Sequence, residues 1–289
     1  LIPHRKGILI TDFAVLKDFL IIQELKESLP KIIFINKKTR KKHEIKFDEE
    51  AYQLSFSEGV NYNNHKIRVS YSALNVPSII YEYNLRTKKR KILKKQIIPT
   101  GFNKNKYETK RIFAKGHDGE KIPLSILKLK NLKENAPTVL YGYGAYGMSM
   151  MPSFSVARLS MVDRGMVYAI AHIRGGMEKG RQWYLDGKLK KKKNTFRDFI
   201  SCANYLKKKG ISSDLTIHGG SAGGLLIGAA LNMAPQLFKS AVADVPFVDT
   251  LNTILDASLP LTPPEWQEWG NPILNKKDFS NIRSYSPYD

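Results

Sequence analysis

The sequence predicts an α/β protein whose amino-terminal third is all β. Residues 1–105 contain short strand-like runs separated by polar turns, with no amphipathic helix between them. From about residue 106, apolar strands alternate with helical segments, as in a parallel sheet covered by helices. Glycine-rich loops follow three of these apolar strands, after Leu140, Ile173 and His218. In parallel sheets the strand carboxyl ends collect functional residues, so these loops mark the predicted site.

The amino-terminal part contains a weak internal repeat. Residues 33–44 and 81–93 each hold a strand, an N-x-x-T turn and a return strand. Their separation suggests a repeat of about 45 residues, the size of one propeller blade. The predicted strands of this part are 8–13, 19–25, 31–36, 51–56, 66–72, 78–84 and 91–94, with a polar connection at 25–30.

The second part begins with a predicted hairpin, 110–115 and 122–129, around the turn His117-Asp118-Gly119. Further strands are predicted at 137–142, 167–173, 215–218 and 240–245, and helices at 195–209 and after Ser221. The helix at 195–209 carries its apolar residues on or near one face, which indicates packing against the sheet.

Composition excludes several classes of protein. No run of 18 apolar residues is present, and the beginning of the chain lacks the pattern of a signal peptide. The single cysteine, Cys202, excludes an internal disulfide framework and favours a cytoplasmic location. Because zinc-type ligand spacing and phosphate-loop motifs are missing, we expect no metal and no cofactor.

The net charge of +21 comes mainly from lysine. Such a charge fits either solvated protein faces or a surface that binds nucleic acid or an anionic membrane. The lysines are spread over many segments with little interleaving of arginine and aromatic residues, so we predict neither a nucleic-acid nor a membrane partner. The lysine-rich segments lie at 37–38, 41–42, 88–95, 188–193 and 207–209.

The stretch 219–223, GGSAG, follows an apolar strand and precedes a helix, the setting of a nucleophile elbow. In such an elbow the serine occupies a strained backbone position, and glycines two residues away avoid a clash. This pattern predicts Ser221 as a nucleophile at a helix amino terminus, where N–H groups favour negative charge. A structural or phosphate-binding turn is the alternative.

Acyl transfer also needs donors for the oxyanion and a base. The N–H of Ala222 is one predicted donor, and Tyr143 in the loop after strand 137–142 is the second. A packed aromatic residue under a glycine turn is the alternative for Tyr143. The base is missing from the pattern, since all six histidines precede Ser221. We do not expect His218, His172 or His117 to fill that role.

Several segments together resemble the prolyl oligopeptidase family of serine peptidases, and the resemblance covers essentially the whole chain. It implies an α/β-hydrolase domain joined to a seven-bladed β-propeller that screens out large substrates. It also implies cleavage of short peptides after Arg or Lys. The segments are LIPHR (1–5), FDEEAY (47–52), SYSALNVPS (70–78), YGYGAYG (141–147), FSVARLSMVDRG (154–165), AHIRGG (171–176), GKLKKKKNTFRDF (187–199), GGSAGG (219–224), VPFVD (245–249), EWGNP (268–272) and SYSPYD (284–289).

The resemblance assigns roles to individual residues. Ser221 corresponds to the nucleophile, and Tyr143 and the Ala222 N–H correspond to the oxyanion donors. Glu265 falls where the family pairs a carboxylate with the basic side chain before the scissile bond, a charge-assisted contact. Without the resemblance, a solvent-facing loop acid is the alternative for Glu265. Gln267, in place of a second acid, and Arg174 complete the expected substrate-binding residues.

The resemblance also implies that the sequence is truncated at both ends. Residues 1–105 would be a propeller remnant of about two blades, and 106–289 a hydrolase domain lacking its carboxyl-terminal part. The triad Asp and His would be absent, so we expect little activity from this chain alone. Two alternatives to a peptidase stay open: a carboxylesterase on the same fold, and a non-catalytic binding or structural chain. The latter would dock with a separate polypeptide bearing the remaining elements or bind anions through its lysines.

Overall fold

The structure is a computed structural model that describes residues 2–289, and its first part consists of two antiparallel four-stranded sheets. Each sheet orders its strands as they occur in the sequence. The first contains β1 (Ile8–Val15), β2 (Phe19–Lys26), β3 (Leu29–Asn36) and β4 (Lys42–Ile45). The second contains β5 (Tyr52–Ser57), β6 (Lys66–Ala73), β7 (Val76–Asn84) and β8 (Arg90–Lys95).

The N-x-x-T segments form equivalent turns in the two sheets. The side-chain oxygen of Asn36 accepts hydrogen bonds from the N–H groups of Lys38 and Thr39, at 3.0 and 2.9 Å. Asn84 makes the corresponding bonds after β7, at 2.9 and 3.1 Å. Such local bonds from asparagine fix tight turns. The repeat seen in the sequence is therefore a repeat of structure.

The connection between β2 and β3 is shorter than the predicted polar segment 25–30. The strands continue to Lys26 and resume at Leu29, which leaves a two-residue turn of Glu27 and Ser28. Both residues have positive φ, 49° and 64°. A turn of this kind normally carries glycine or asparagine. Because neither is present, the residues of this turn do not indicate the tight hairpin.

The second part is built on one six-stranded sheet with the order β14-β13-β11-β12-β10-β9. The four strands β12, β11, β13 and β14 are parallel, as predicted. The predicted hairpin β9–β10 joins this sheet through an antiparallel pairing of β10 with β12, so the sheet is mixed. The strands are β9 (Tyr107–Lys115), β10 (Lys121–Leu129), β11 (Ala136–Tyr141), β12 (Val167–Ala171), β13 (Ser212–Gly220) and β14 (Ser240–Asp244).

Helices cover both faces of the sheet. Phe196 and Phe199 of α3 and Leu225 and Leu226 of α4 lie in one apolar core, whereas Leu159 of α1 lies in a second core with Ile170. The helices are α1 (Val156–Asp163), α2 (Arg181–Leu185), α3 (Lys193–Lys208), α4 (Ala222–Met233), α5 (Thr250–Leu255), α6 (Thr262–Trp269) and α7 (Lys276–Arg283). Among residues 2–289, none of them has the length and apolar character that crossing a bilayer requires.

Strand β14 forms one edge of the sheet. All five of its residues are exposed, Val242 included. Its inner side pairs with β13 from Thr216↔Ser240 to Gly220↔Asp244. The strand beside the elbow is thus open along its outer side in the described chain.

A buried ion pair ties the loop after β12 to helix α3. The Arg174 guanidinium contacts both oxygens of Asp198 and also Asp118 in the β9–β10 turn. Burial works against the charged guanidinium, but these hydrogen bonds raise the pKa of Arg174 overall. Arg174 is 4% exposed and Asp198 is fully buried, so each charge depends on the other for compensation.

We expect Asp198→Ala to lower the free energy of unfolding by about 3 kcal/mol, because it leaves a buried guanidinium with one partner. Denaturant unfolding measures the change. The matched control is Asp186→Ala, whose carboxylate pairs with Lys191 at the surface, 2.6 Å away. A loss below about 1 kcal/mol is expected there. Equal losses in the two variants would contradict this interpretation.

Candidate active site

Ser221 lies between β13 and α4 with φ 54° and ψ −120°, a conformation that is strained for a residue with a side chain. Its N–H donates to the carbonyl oxygen of Asp244, 2.9 Å away. Its own carbonyl accepts from the N–H groups of Gly224 and Phe247, at 2.8 and 3.1 Å. These bonds hold the strained position, and the serine is exposed. This is the geometry that the glycine pattern predicted.

The glycines around Ser221 are required by close backbone contact. A Cβ atom at Gly219 would lie 2.4 Å from the carbonyl oxygen of Gly223. A Cβ atom at Gly223 would lie 2.9 Å from the carbonyl oxygen of Gly142. Gly142 is itself enclosed, since its Cβ would be 2.7 Å from side-chain atoms of Phe199 and Leu226. Any larger residue at these positions would force the backbones apart.

Tyr143 follows Gly142 and packs directly on the elbow. Its Cα and Cδ2 atoms would be 3.4 and 3.3 Å from a Cβ atom placed at Gly223. Burial raises the pKa of Tyr143, and the side chain of Ser221 lies close enough to oppose that shift. The phenol therefore keeps its proton at neutral pH and can donate a hydrogen bond beside the serine.

The second predicted donor, the N–H of Ala222, is at the first position of α4. N–H groups in the first turn of a helix have no acceptor within the helix. Together with the helix dipole they favour negative charge at this end. The structure thus brings Ser221, Ala222 and Tyr143 to one corner of the sheet.

Glu265 lies in helix α6, half-buried, rather than in a loop. Its Oε2 atom accepts hydrogen bonds from the Tyr146 hydroxyl at 2.8 Å and from the Trp269 indole N–H at 2.6 Å. Burial and the Glu265 carboxylate raise the pKa of Tyr146, which keeps that phenol a donor. Neither of these bonds uses Oε1, so that oxygen is left for another partner.

Glu268, on the same face of α6, is a second acid that the sequence analysis missed. It is 4% exposed and uses both oxygens, accepting from the Tyr146 N–H at 3.1 Å and from the Tyr184 hydroxyl. Its position three residues after Glu265 could have indicated it, because residues three apart are neighbours on the surface of a helix. Gln267, between them, is exposed. The acid with spare hydrogen-bonding capacity is therefore Glu265.

Two aromatic contacts connect Glu265 to the elbow. On one side, the rings of Tyr143 and Tyr146 are 6.4 Å apart. On the other, the rings of Phe247 and Trp269 are 5.6 Å apart, and the Phe247 N–H bonds to the Ser221 carbonyl. The carboxylate and the serine consequently belong to one continuous wall, and of its aromatic residues only Tyr143 was predicted from the sequence.

The histidines occupy other positions. The Nε2 atom of His218 is 2.6 Å from Asp244 Oδ2, across the β13–β14 pairing. His172 is fully buried, with Nε2 2.8 Å from the Ser125 hydroxyl. His117 is in the β9–β10 turn. No histidine follows Ser221 in the sequence.

Arg174 is the expected binding residue with the least freedom to meet a substrate. Its guanidinium is held by Asp198 and Asp118, so a contact with substrate stays a prediction. Across residues 2–289, no three histidine, cysteine or acidic side chains cluster in a way that could hold a metal ion.

Comparison with known proteins places both parts of the chain. Residues 152–289 match the model of the prolyl oligopeptidase family, and residues 1–96 match the model of the prolyl oligopeptidase N-terminal beta-propeller domain. Dipeptidyl aminopeptidase BI of Pseudoxanthomonas mexicana is 42% identical over 293 residues. The match covers all of this chain and 40% of the length of that protein. Protease 2 of Moraxella lacunata is 39% identical, with 85% of this chain and 36% of that protein covered.

Solved structures of oligopeptidases match the fold of this chain. Oligopeptidase B from Trypanosoma brucei, in a closed form with covalently bound antipain, superposes with a TM-score of 0.92 at 39% identity. Oligopeptidase B from Leishmania major gives 0.91 at 39% identity. Each match covers 99% of this chain and 42% of the other. The predicted β-propeller part and α/β-hydrolase fold are confirmed, and the chain belongs to the prolyl oligopeptidase family of serine peptidases.

Proposed function

We propose that this chain carries the nucleophile, the oxyanion donors and the specificity carboxylate of an oligopeptidase that cleaves short peptides after Arg or Lys. The observation that carries the proposal is the single wall that contains both Ser221 and Glu265. Phe247 bonds to the serine backbone and packs on Trp269, which donates to Glu265. A substrate whose carbonyl meets Ser221 would direct its preceding side chain along this wall.

The proposed reaction begins with attack of the Ser221 Oγ on the peptide carbonyl carbon. The oxyanion accepts hydrogen bonds from the Ala222 N–H and the Tyr143 hydroxyl, and the serine proton passes to a base. Breaking the C–N bond returns that proton to the departing amine and leaves an acyl ester on Ser221. Water then hydrolyses the ester by the same steps.

The base is the element that this sequence does not supply. Residues 222–289 contain no histidine, and the His218 ring is paired with Asp244. We propose that the triad Asp and His reach Ser221 from polypeptide outside residues 1–289, in the same protein or in a separate chain. The exposed outer side of β14, next to the elbow, offers the space for such a segment.

Specificity for a basic side chain would come from Glu265. Its Oε2 atom is fixed by Tyr146 and Trp269, whereas Oε1 can accept from a guanidinium or an ammonium group. A hydrogen-bonded ion pair in a half-buried position is stronger than one in water. Gln267, exposed on the same helix, would contribute polarity without charge.

Domain division and location belong to the same proposal. We propose that residues 1–105 form the propeller part that limits access to short peptides, and residues 106–289 the hydrolase part. A cytoplasmic location is supported by the single cysteine, Cys202, which is buried in α3.

A non-catalytic docking chain is the second candidate, favoured by the missing histidine together with the open edge of β14. Such a chain would bind a partner polypeptide without any need for Ser221. Binding of a guanidinium compound that depends on Glu265 would favour the peptidase over such a chain.

We expect the purified 289-residue chain to hydrolyse an arginyl amide about 10⁶-fold more slowly than a complete peptidase, since a serine without its base retains only oxyanion and binding effects. Release of the chromogenic amine measures the rate, with Ser221→Ala as the control. Turnover at a rate typical of enzymes, lost in Ser221→Ala, would mean that a base is present within the chain.

We expect Glu265→Gln to weaken binding of agmatine by about tenfold or more, because a charged partner of the guanidinium is lost. Agmatine carries the guanidinium of arginine without a scissile bond, so calorimetry reports on binding without turnover. Glu134→Gln removes the same charge from an exposed position before β11 and should bind as the wild type does. Unchanged affinity in Glu265→Gln would refute the assigned specificity.

A further inference from the structure

One lysine of the run 188–193 is not on the surface. Lys192 is 1% exposed, whereas its neighbours Lys190 and Lys191 are exposed. Burial of an ammonium group is costly unless hydrogen bonds and opposite charge compensate for it. Burial lowers the pKa of Lys192 to about 8, and the Glu268 carboxylate opposes this change. A cation retained at such a position calls for an explanation.

Two contacts of the Lys192 ammonium are with residues of the site. Its Nζ atom donates to the carbonyl oxygen of Gly144, 2.6 Å away. It also lies over the Trp269 ring, 4.7 Å from the centroid, a favourable cation–π distance. Gly144 is the residue after Tyr143, and Trp269 holds the Oε2 atom of Glu265.

The Gly144 peptide has no alternative position in this packing. Its φ is 74°, and a Cβ atom there would lie 2.4 Å from Thr195. Its carbonyl oxygen would be 2.0 Å from a Cβ atom at Gly175. The Gly147 N–H, three residues on, bonds to the Gly175 carbonyl at 2.8 Å. The loop is therefore closely packed, and Lys192 satisfies its buried carbonyl.

We propose that Lys192 is a positioning residue that sets Tyr143 and Glu265 relative to each other, with its ammonium bonded to Gly144 and packed on Trp269. The inference rests on the proposed function for the roles of those two residues. One buried cation would thus align the oxyanion donor with the carboxylate that receives the basic side chain. No contact of Lys192 with the substrate is involved.

The test variant is Lys192→Met, which introduces an apolar side chain of similar length. The control variant is Lys190→Met, at an exposed position. Lys192→Met leaves the buried carbonyl of Gly144 without its donor, so we expect a lower unfolding temperature. A purely structural role would lower it too, so the test depends on the loop and on ligand affinity. We also expect amide hydrogen exchange of Tyr146 and Gly147 to accelerate about tenfold, since the loop has lost a charge-assisted bond.

Agmatine affinity is the second measurement, and we expect Lys192→Met to weaken it about tenfold through the displaced Trp269 and Glu265. Lys192→Arg, which keeps the charge and the donors, should restore slow exchange and affinity. Lys190→Met should match the wild type in every measurement.

Wild-type exchange rates at Tyr146 and Gly147 in Lys192→Met would overturn the proposal. Global unfolding of both Lys192 variants would also overturn it, because Lys192 would then be a requirement of the fold. If the wild type does not bind agmatine, the proposed specificity of Glu265 is wrong, and the exchange rates still decide whether Lys192 positions the loop.

Discussion

The contact between the Gly142 carbonyl and the backbone of the elbow governs the rest of the site. Gly219 and Gly223 leave no room for a side chain, so the ends of β11 and β13 meet at backbone distance. That approach places Tyr143, one residue later, beside Ser221. It also allows Ser221 a conformation that costs on the order of 1–3 kcal/mol and that bonds to Asp244, Gly224 and Phe247 help to hold.

Buried charge fixes the opposite side of the site. Glu268 accepts from the backbone of Tyr146, and Lys192 donates to the backbone of Gly144, so both charges act on the same loop. Each would be costly without its partner, and the arrangement therefore tolerates little displacement. Donors and a carboxylate that are fixed before the substrate arrives are what electrostatic catalysis requires. Under the proposed function, the described chain would supply this rigid part of the site, and the proton acceptor would come from polypeptide outside residues 1–289.

Local sequence patterns predicted the elements whose conformation depends on residues that are close together in the chain. The glycines around Ser221, the Asn36 and Asn84 turns and the apolar strands are of this kind. Glu265 was predicted only through the family resemblance. Its hydrogen bonds come from Tyr146 in a different loop and from Trp269 in the same helix, and a local sequence pattern does not show such contacts. The burial of Lys192 could not be predicted, because nothing in a run of lysines shows which of them is buried. The pairing of β10 with β12 and the Glu27–Ser28 turn depend on tertiary packing in the same way.

The most direct measurement is the rate at which a fluorophosphonate labels Ser221 in the purified chain, with and without added imidazole. An exposed serine that has its oxyanion donors but no base should label slowly, react faster when imidazole acts as the base, and show no labelling in Ser221→Ala. Rapid labelling without imidazole would contradict the claim that the base lies outside residues 1–289. Failure of imidazole to accelerate labelling would contradict the claim that the elbow is already built.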